Sequence, residues 1–553
     1  MKLLSCLFIS FFLFKATQAQ PTVGLFYDDP GTMPGYVLFS PGEVDSSFLI
    51  DKCGYRVHTW HSQYPIGQSQ YLLADGTLLR SGEVGNPVFT SGGNGGIIER
   101  LDWNSNVLWS YRISDSLQCQ HHDIFPMPNG NVLAIVWEKH DTTDARMNGR
   151  NPALLGASLW SEKLLEIQPI GADSGTIVWQ WRVWDHLIQH FDSSKNNYGL
   201  VAMHPELINF NYLNGNPPQN EDWLHMNSVD YNPLLDQIVL STHALSELWI
   251  IDHSTTTAQA ASHNGGTHQH GGDLLYRWGN PAAYNHGGAG TRKLYSQHNV
   301  HWIPPGLDDA GYLMIYNNGL ARPGGNYSSV DEIITPVDSA GNYALTAGVY
   351  GPSSLAWTYF DTSAANFFFS TLVSGAQRLK NGNTLVDEGR SGRFFELDYL
   401  KNRIWQYINP VSVSGDMTQG DTATQNSVFR CTHYDTGYAG LAGHPLTPGN
   451  PIELNPFPYT CMMINSVHEA AGLRVWIQNP FGNELVLHAD QPLQQARITL
   501  QDISGRVLQT WSGLHVYPGE DLRLPTLPFG NGPCLLLLQT NTGQTTKLLL
   551  KLE

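Results

Sequence analysis

Polar, histidine-bearing stretches break into apolar, strand-like sequence at three places. They read Gln120-His121-His122-Asp123, Trp223-Leu224-His225-Met226-Asn227-Ser228, and Gln297-His298-Asn299 followed by His301. A fourth, Asn317-Asn318-Gly319-Leu320-Ala321-Arg322, ends the hairpin that the third begins. A neutral imidazole is a nucleophile or base, and a protonated one an acid. A guanidinium stays charged and offers a fork of donors that suits an oxyanion. His225, His298 and Arg322, supported by His122 and Asn318, therefore form a set able to hold an anionic group and move it. One histidine alone is more often structural, and 22 of them in 553 residues create coincidences. Repetition at equivalent strand starts, in a chain with only 30 Lys+Arg, favours the functional reading.

Such residues meet only if the fold gathers distant strand starts. Six stretches read as a strand, a polar turn and a second strand, most of them ending in Trp or Tyr: 48–60, 98–111, 164–181, 248–280, 331–345 and 394–407. Between them stand five hairpins of another kind, at 70–84, 122–138, 227–243, 299–319 and 375–389, with turns such as ADGT, PNGN and KNGN. Alternating hairpins make four-stranded blades, and blades arranged radially make a propeller. Five inner hairpins against six outer ones leave one blade short, and segments 35–41 and 427–435 are expected to complete it from both chain ends. The predicted fold is thus all-β, a six-bladed β-propeller over residues 20–460. Stacked sandwiches fit less well, because they do not require paired hairpins at this regularity. In a propeller the innermost strands line a central tunnel, where the histidines would converge. The repeated Trp60, Trp109, Trp179, Trp181, Trp278 and Trp405 are expected to pack between blades.

Composition agrees with a large, turn-rich β protein: 41% hydrophobic, 14% charged, 54 Gly and 16 Trp. The net charge of -18 argues against a nucleic-acid partner, which needs a basic face, so an anion site must be local. Residues 1–19 read as a signal peptide, with Lys2, an apolar run from Leu3 to Phe14 and a small-x-small pattern ending at Ala19. Export permits disulfides, but the mature chain keeps five cysteines, so at least one thiol is unpaired within it. After residue 460 the pattern changes, and 473–553 reads as a small β-sandwich.

Two resemblances follow from longer runs of sequence. NPFGNELVLH…ARITLQDISGRVLQTW…TGQTTKLLLKL resembles the C-terminal sorting domain of proteins exported by the type IX secretion system. It implies a secreted or outer-surface protein whose residues 473–553 address that machinery; NGPCLLLLQ (531–539) departs from the usual pattern. HMNSVDYNPLLDQIVLSTH, SELWIIDHSTTT, GGDLLYRWGNP, QHNVHWI, NNGLARP and SGAQRLKNGNTL together resemble the arylsulfotransferase family over about Gly35 to Pro456. That resemblance implies transfer of a sulfuryl group from an aryl sulfate to a phenol through a sulfohistidine, with no nucleotide donor, metal or organic cofactor. It places His225, His298 and Arg322 at the site. The family carries a further histidine where this chain reads FFFSTLVSGAQ (367–377), which has none. The nucleophile is then another residue, such as His298 or His122, or the chain is a non-catalytic binding propeller.

Other features read as structural. The loop from His253 to Asp273 holds His263, His268 and His270, but no carboxylate or cysteine clusters with them in sequence, so a solvated insertion is expected rather than a metal site. SGGNGG (91–96) opens no helix and carries no phosphate-binding lysine. GLDDAG (306–311) lacks the ligand alternation of a calcium loop.

Overall fold

The computed structural model describes residues 21–457 apart from residue 30, and beyond them residue 461 and parts of 475–551. The proposed signal segment 1–19 lies outside the described residues. The chain separates into two compact units, Met1–Tyr459 and Thr460–Glu553.

Among the described residues the first unit holds six antiparallel sheets of four or five strands, each a meander, to which sheets one and six add a strand from a distant part of the chain. Sheet one runs Thr432–Asp435, Gly35–Phe39, Ser46–Asp51, Arg56–His61, and sheet two Ile66–Leu72, Leu78–Glu83, Gly96–Leu101, Val107–Arg112. Sheet three is Gln118–Pro126, Val132–His140, Leu159–Ile170, Ser174–Arg182, and sheet four Met226–Asn232, Gln237–Thr242, Glu247–Asp252, Tyr276–Trp278. Sheet five is His298–Trp302, Leu313–Asn317, Ser329–Ile333, Trp357–Tyr359. Sheet six is Gly375–Arg378, Thr384–Glu388, Arg393–Leu397, Arg403–Ile408, with Gly24–Asp28 added outside. The pairing expected from both chain ends is present, with Gly35 opposite Asp435 and Leu38 opposite Thr432.

One hairpin differs from expectation. Ser329–Ile333 pairs with Trp357–Tyr359 rather than with the residues up to 345. Pro336 lacks the N–H that a ladder needs, and the chain turns outward at Asp338–Asn342. The turns ADGT, PNGN and KNGN, whose Asp-Gly and Asn-Gly pairs signal two-residue hairpin loops, are longer than that type, closing Leu73 onto Thr77, Met127 onto Asn131 and Leu379 onto Asn383. In each, the glycine has positive φ (Gly76 83°, Gly130 86°, Gly382 85°) and its N–H closes a turn onto Leu73, Met127 or Leu379. Only glycine takes that left-handed position without a Cβ penalty.

All six repeated tryptophans are buried. Five indole N–H groups donate toward another sheet: Trp109 to Ser174, Trp179 to Thr255, Trp181 to Gly272, Trp278 to Pro352 and Trp405 to Lys52. Trp60 instead meets Trp103 edge-on at 5.1 Å. The first five fill the space between neighbouring sheets while satisfying their own donors, whereas the buried Trp60 N–H has no hydrogen-bond partner among the described residues.

The second unit has a three-stranded sheet (Val475–Ile477, Glu484–Ala489, Asp521–Pro525) and a four-stranded one (Leu493–Asp502, Val507–Val516, Gly532–Thr540, Gly543–Lys551). Leu485, Leu487 and Leu524 of the former share one core with Ile498, Leu500, Leu536 and Leu538 of the latter. Cys119, Cys431 and Cys534 are free thiols and buried.

Candidate functional site

The first strand of a sheet carries its polar residues on β-bulges. In sheet three the register slips between Gln120 and Ile124, in sheet four between Met226 and Ser228, and in sheet five between His298 and His301. A bulge leaves residues unpaired and re-aims their side chains. The same starts hold non-glycine residues at left-handed φ: His122 at 48°, His225 at 51°, Asn299 at 48° and, entering sheet six, Val373 at 49°. Each costs about 1–3 kcal/mol and persists only where surroundings impose it.

The result is a file of imidazoles across sheets three, four and five. Ring centroids lie 5.2 Å apart for His121–His122, 4.6 Å for His122–His225, 5.3 Å for His225–His243 and 5.2 Å for His243–His298. His122, His225 and His298 thus come together as expected from sequence. His243 was not singled out, although Met226 pairs with Thr242, which sets His225 and His243 side by side at the open end of one hairpin. Hairpin register was the signal that could have found it.

Each ring has its own environment. His225 Nδ1 lies 2.5 Å from Asp222 Oδ2. Burial would raise the Asp222 carboxyl, but the His225 ring and hydrogen bonds from His225 and Ser91 bring it down to about 2. Burial also opposes charge on His225, yet the Asp222 carboxylate, by its charge and its hydrogen bond, holds the ring's pKa above the usual imidazole value. His225 is therefore the ring of the file that keeps a proton most readily.

His298 is fixed in one tautomer. Asn318 donates its amide to the Ser370 and Val373 carbonyls, so its Oδ1 accepts from His298 Nδ1 at 2.8 Å. The Val373 N–H in turn donates to His298 Nε2 at 3.2 Å. Burial takes this ring down to about 3, so it is neutral with both nitrogens engaged. His121 Nε2 faces Glu162 at 2.6 Å, and burial pushes the carboxyl up and the imidazole down, leaving a neutral pair. Burial and the neighbouring rings lower His122 and His243 as well. His243 is only partly buried, and its ring has no hydrogen-bond partner among the described residues. His122 is 3% exposed and enclosed by Gly93, Trp137 and Phe429.

The glycine-rich stretch 91–96 is explained here. Gly93 has φ +86°, and a Cβ on it would lie 2.0 Å from His122 Cε1, while one on Gly95 would meet Gln120 Oε1. The His122 N–H donates to Gly93 O at 2.7 Å. Gly93 lets backbone lie directly on the His122 ring, and Gly95 does the same for Gln120.

Arg322 stands apart from the rings: among the described residues no hydrogen bond or ion pair joins it to them. Its Nη2 donates to Ser329 Oγ at 2.9 Å, and its guanidinium lies 4.3 Å from the Tyr327 ring and 5.4 Å from the Tyr295 ring. Arg292 covers Tyr295 too, at 4.2 Å. Neither guanidinium has a carboxylate partner among the described residues. Arg430, which sequence reasoning passed over, has one: it donates to Asp123 Oδ2 and Tyr71 Oη, each at 2.9 Å, and its charge helps hold His298 and His301 neutral.

A surface cavity of about 770 Å³ lined by Glu43, Asp45, Arg56, His61 and Asp416 contains none of these rings. No curated protein matches the chain by sequence. Solved structures give slight likenesses: a protein of unknown function from Bacteroides caccae (10% identity, 68% of this chain and 93% of that one, TM-score 0.37) and a Lactobacillus plantarum protein (9%, 89% and 100%, 0.34). An inactive variant of Staphylococcus aureus virginiamycin B lyase is similar at 8%, over 70% and 89%, with a TM-score of 0.30. Scores this low bear on neither fold nor activity. The arylsulfotransferase (ASST) family model, by contrast, matches residues 45–436, which include every residue of the imidazole file, and the chain belongs to that family.

Proposed function

We propose that this protein transfers a sulfuryl group from an aryl sulfate to a phenol through a histidine, and that His243 is the nucleophile. The observation that carries the choice is the pairing of a neutral ring without hydrogen bonds to the described residues, His243, with a ring beside it whose pKa is raised, His225. His298 presents a nitrogen already engaged by Val373, and His122 has little room for a sulfuryl group. Nucleophile, acid–base and orienting carboxylate then stand in the usual order, with Asp222 holding His225.

In the first half-reaction the His243 lone pair forms an N–S bond while the S–O bond to the aryl oxygen breaks. That oxygen takes the bonding pair and the His225 Nε2 proton, and leaves as a phenol. In the second, an acceptor phenol returns its proton to His225 and attacks sulfur, the N–S bond breaks, and His243 is restored. His298 and Asn318 position the wall of the site. Arg322, with Arg292 across Tyr295, supplies charge for the sulfuryl oxygens. Arg322→Ala should lower turnover about a hundredfold, because one preorganised donor to a developing anion contributes that much; full activity in the variant would remove it from the site.

The six sheets are read as blades of a closed six-bladed propeller, each first strand facing the tunnel. The test of function is phenol release from an aryl sulfate, accelerated by a second phenol, without nucleotide or added metal. Donor binding with no release would favour a binding propeller instead. We also propose secretion through the signal segment and the C-terminal unit. Protein from native culture medium should begin at Gln20 and lack 473–553, by intact-mass measurement; an unprocessed mass would count against both address readings.

A further inference from the structure

The histidine-rich loop is largely exposed, as its composition suggested, but several of its side chains are held by partners. His253 bridges Asp236 (2.7 Å) and Glu166 (3.0 Å), and His268 Nδ1 lies 3.0 Å from Asn342 Oδ1. At its end Asp273, which is 4% exposed, faces two imidazoles. One is His263 of the same loop, whose Nδ1 lies 2.8 and 3.0 Å from the two carboxylate oxygens. The other is His186, fully buried and reached from the outermost strand of sheet three, whose Nδ1 is 2.7 Å from Asp273 Oδ1.

The other nitrogen of His186 decides what this cluster is for. Nε2 lies 2.8 Å from Ala260 O, a carbonyl that only accepts, so Nε2 is the donor of that contact and Nδ1 is left facing the carboxylate. The Nδ1 atoms of both imidazoles converge on Asp273, and the three ligand atoms lie within 4.8 Å of one another. We infer that His186 Nδ1, His263 Nδ1 and Asp273 bind a divalent zinc-class cation at the outer edge between sheets three and four. Two imidazoles and a carboxylate suit zinc, with a fourth position left open beside the exposed His263. The backbone carbonyl on the far nitrogen of His186 is the arrangement that orients metal-ligating histidines. The pocket is shaped for that ring: a Cβ on Gly272 would lie 2.6 Å from His186 Nε2, and the Trp181 indole, parallel to His186 within 7°, donates to Gly272 O. Ligands around tetrahedral zinc sit about 3.3 Å apart, so both imidazole contacts of Asp273 would open by roughly half an ångström: the carboxylate would swing away from His186, and His263, on the exposed side, would move outward.

This site uses none of the imidazole file, so it stands whether or not sulfuryl transfer does. Full-length protein treated with chelator and desalted should take up one zinc per chain, and cobalt in its place should give the visible absorption of a low-coordinate site. His263→Ala, an exposed position, and Asp273→Asn should each weaken zinc binding at least tenfold, while His225→Ala should bind as the parent does. Zinc should raise the melting temperature of the parent and not that of His263→Ala. No zinc uptake at micromolar concentration would overturn the inference. So would parent-like binding in both ligand variants, or loss of zinc on changing His225, which would put the metal in the imidazole file.

Discussion

Replacing His243 by Ala should lower turnover about a thousandfold or more while aryl sulfate still binds, since loss of a nucleophile removes the covalent route and leaves the rest of the site. The ring makes no hydrogen bond to the described residues, so the fold should tolerate the change. Rapid quenching of the parent with donor and no acceptor, followed by peptide mapping, should find the sulfuryl group on the peptide that contains His243. The variant should show no sulfated histidine, and added imidazole, occupying the vacated space, should restore part of the phenol release. A sulfated His122 or His298 peptide, or unchanged turnover in the variant, would sink the assignment.

Asp222→Asn should cost a comparable factor through a different cause. The carboxylate fixes the His225 tautomer and raises the pKa of the ring; an amide of the same shape does neither, and breaking such a dyad costs roughly ten thousandfold in the best-known case. The pH profile separates the two causes. Donor kcat/KM needs His225 protonated and His243 neutral, so in the parent it should fall as pH rises through the raised pKa of His225. Acceptor kcat/KM needs His225 neutral and should rise over the same range. In Asp222→Asn both transitions should move to lower pH, because the raising interaction is gone while burial still disfavours the charged ring. Unmoved transitions with a lower rate would make Asp222 a purely structural residue. Stability should follow the same pair. Asp222 has its folded pKa depressed, so its contribution is present above about pH 4 and lost as pH falls toward 2. His225 has its folded pKa raised, so its contribution is lost as pH rises through that value.

Much of the architecture was legible because it repeats. The alternation of hairpins gave five of the six outer pairs and the joining of segments 35–41 and 427–435, since apolar periodicity and turn residues recur at every sheet. Residues 331–345 failed because Pro336 and a polar turn end the strand early, and the true partner follows a long excursion whose length no local pattern announces. At the site, His122, His225 and His298 were visible as polar interruptions at strand starts. His243 was hidden at the end of a second strand, where only cross-strand register reveals a neighbour. Arg430 was hidden because it lies just ahead of the last strand to join, over 300 residues from the Asp123 it pairs with. The glycines at 92–96 have no phosphate-binding lysine beside them; Gly93 serves close approach to an imidazole and Gly95 close approach to Gln120, and sequence carries no mark of that. Asp273 was missed as a partner of His263 because turns in the loop bring together residues ten positions apart.

The joining of Gly35–Phe39 to Thr432–Asp435 in sheet one has a consequence for how the chain is made. Gly35 must find Asp435, and closing a loop of that length costs about 5 kcal/mol of chain entropy before any contact rewards it. Until residue 435 has emerged, the strand Gly35–Phe39 keeps one edge of unpaired N–H and C=O groups, the kind of edge that invites association with other chains. Synthesis from the N-terminus therefore delivers a nearly finished molecule that is still open at Gly35–Phe39, and a chaperone that recognises extended β-strand edges would find its target at residues 35–39 for almost the whole time the chain is being made.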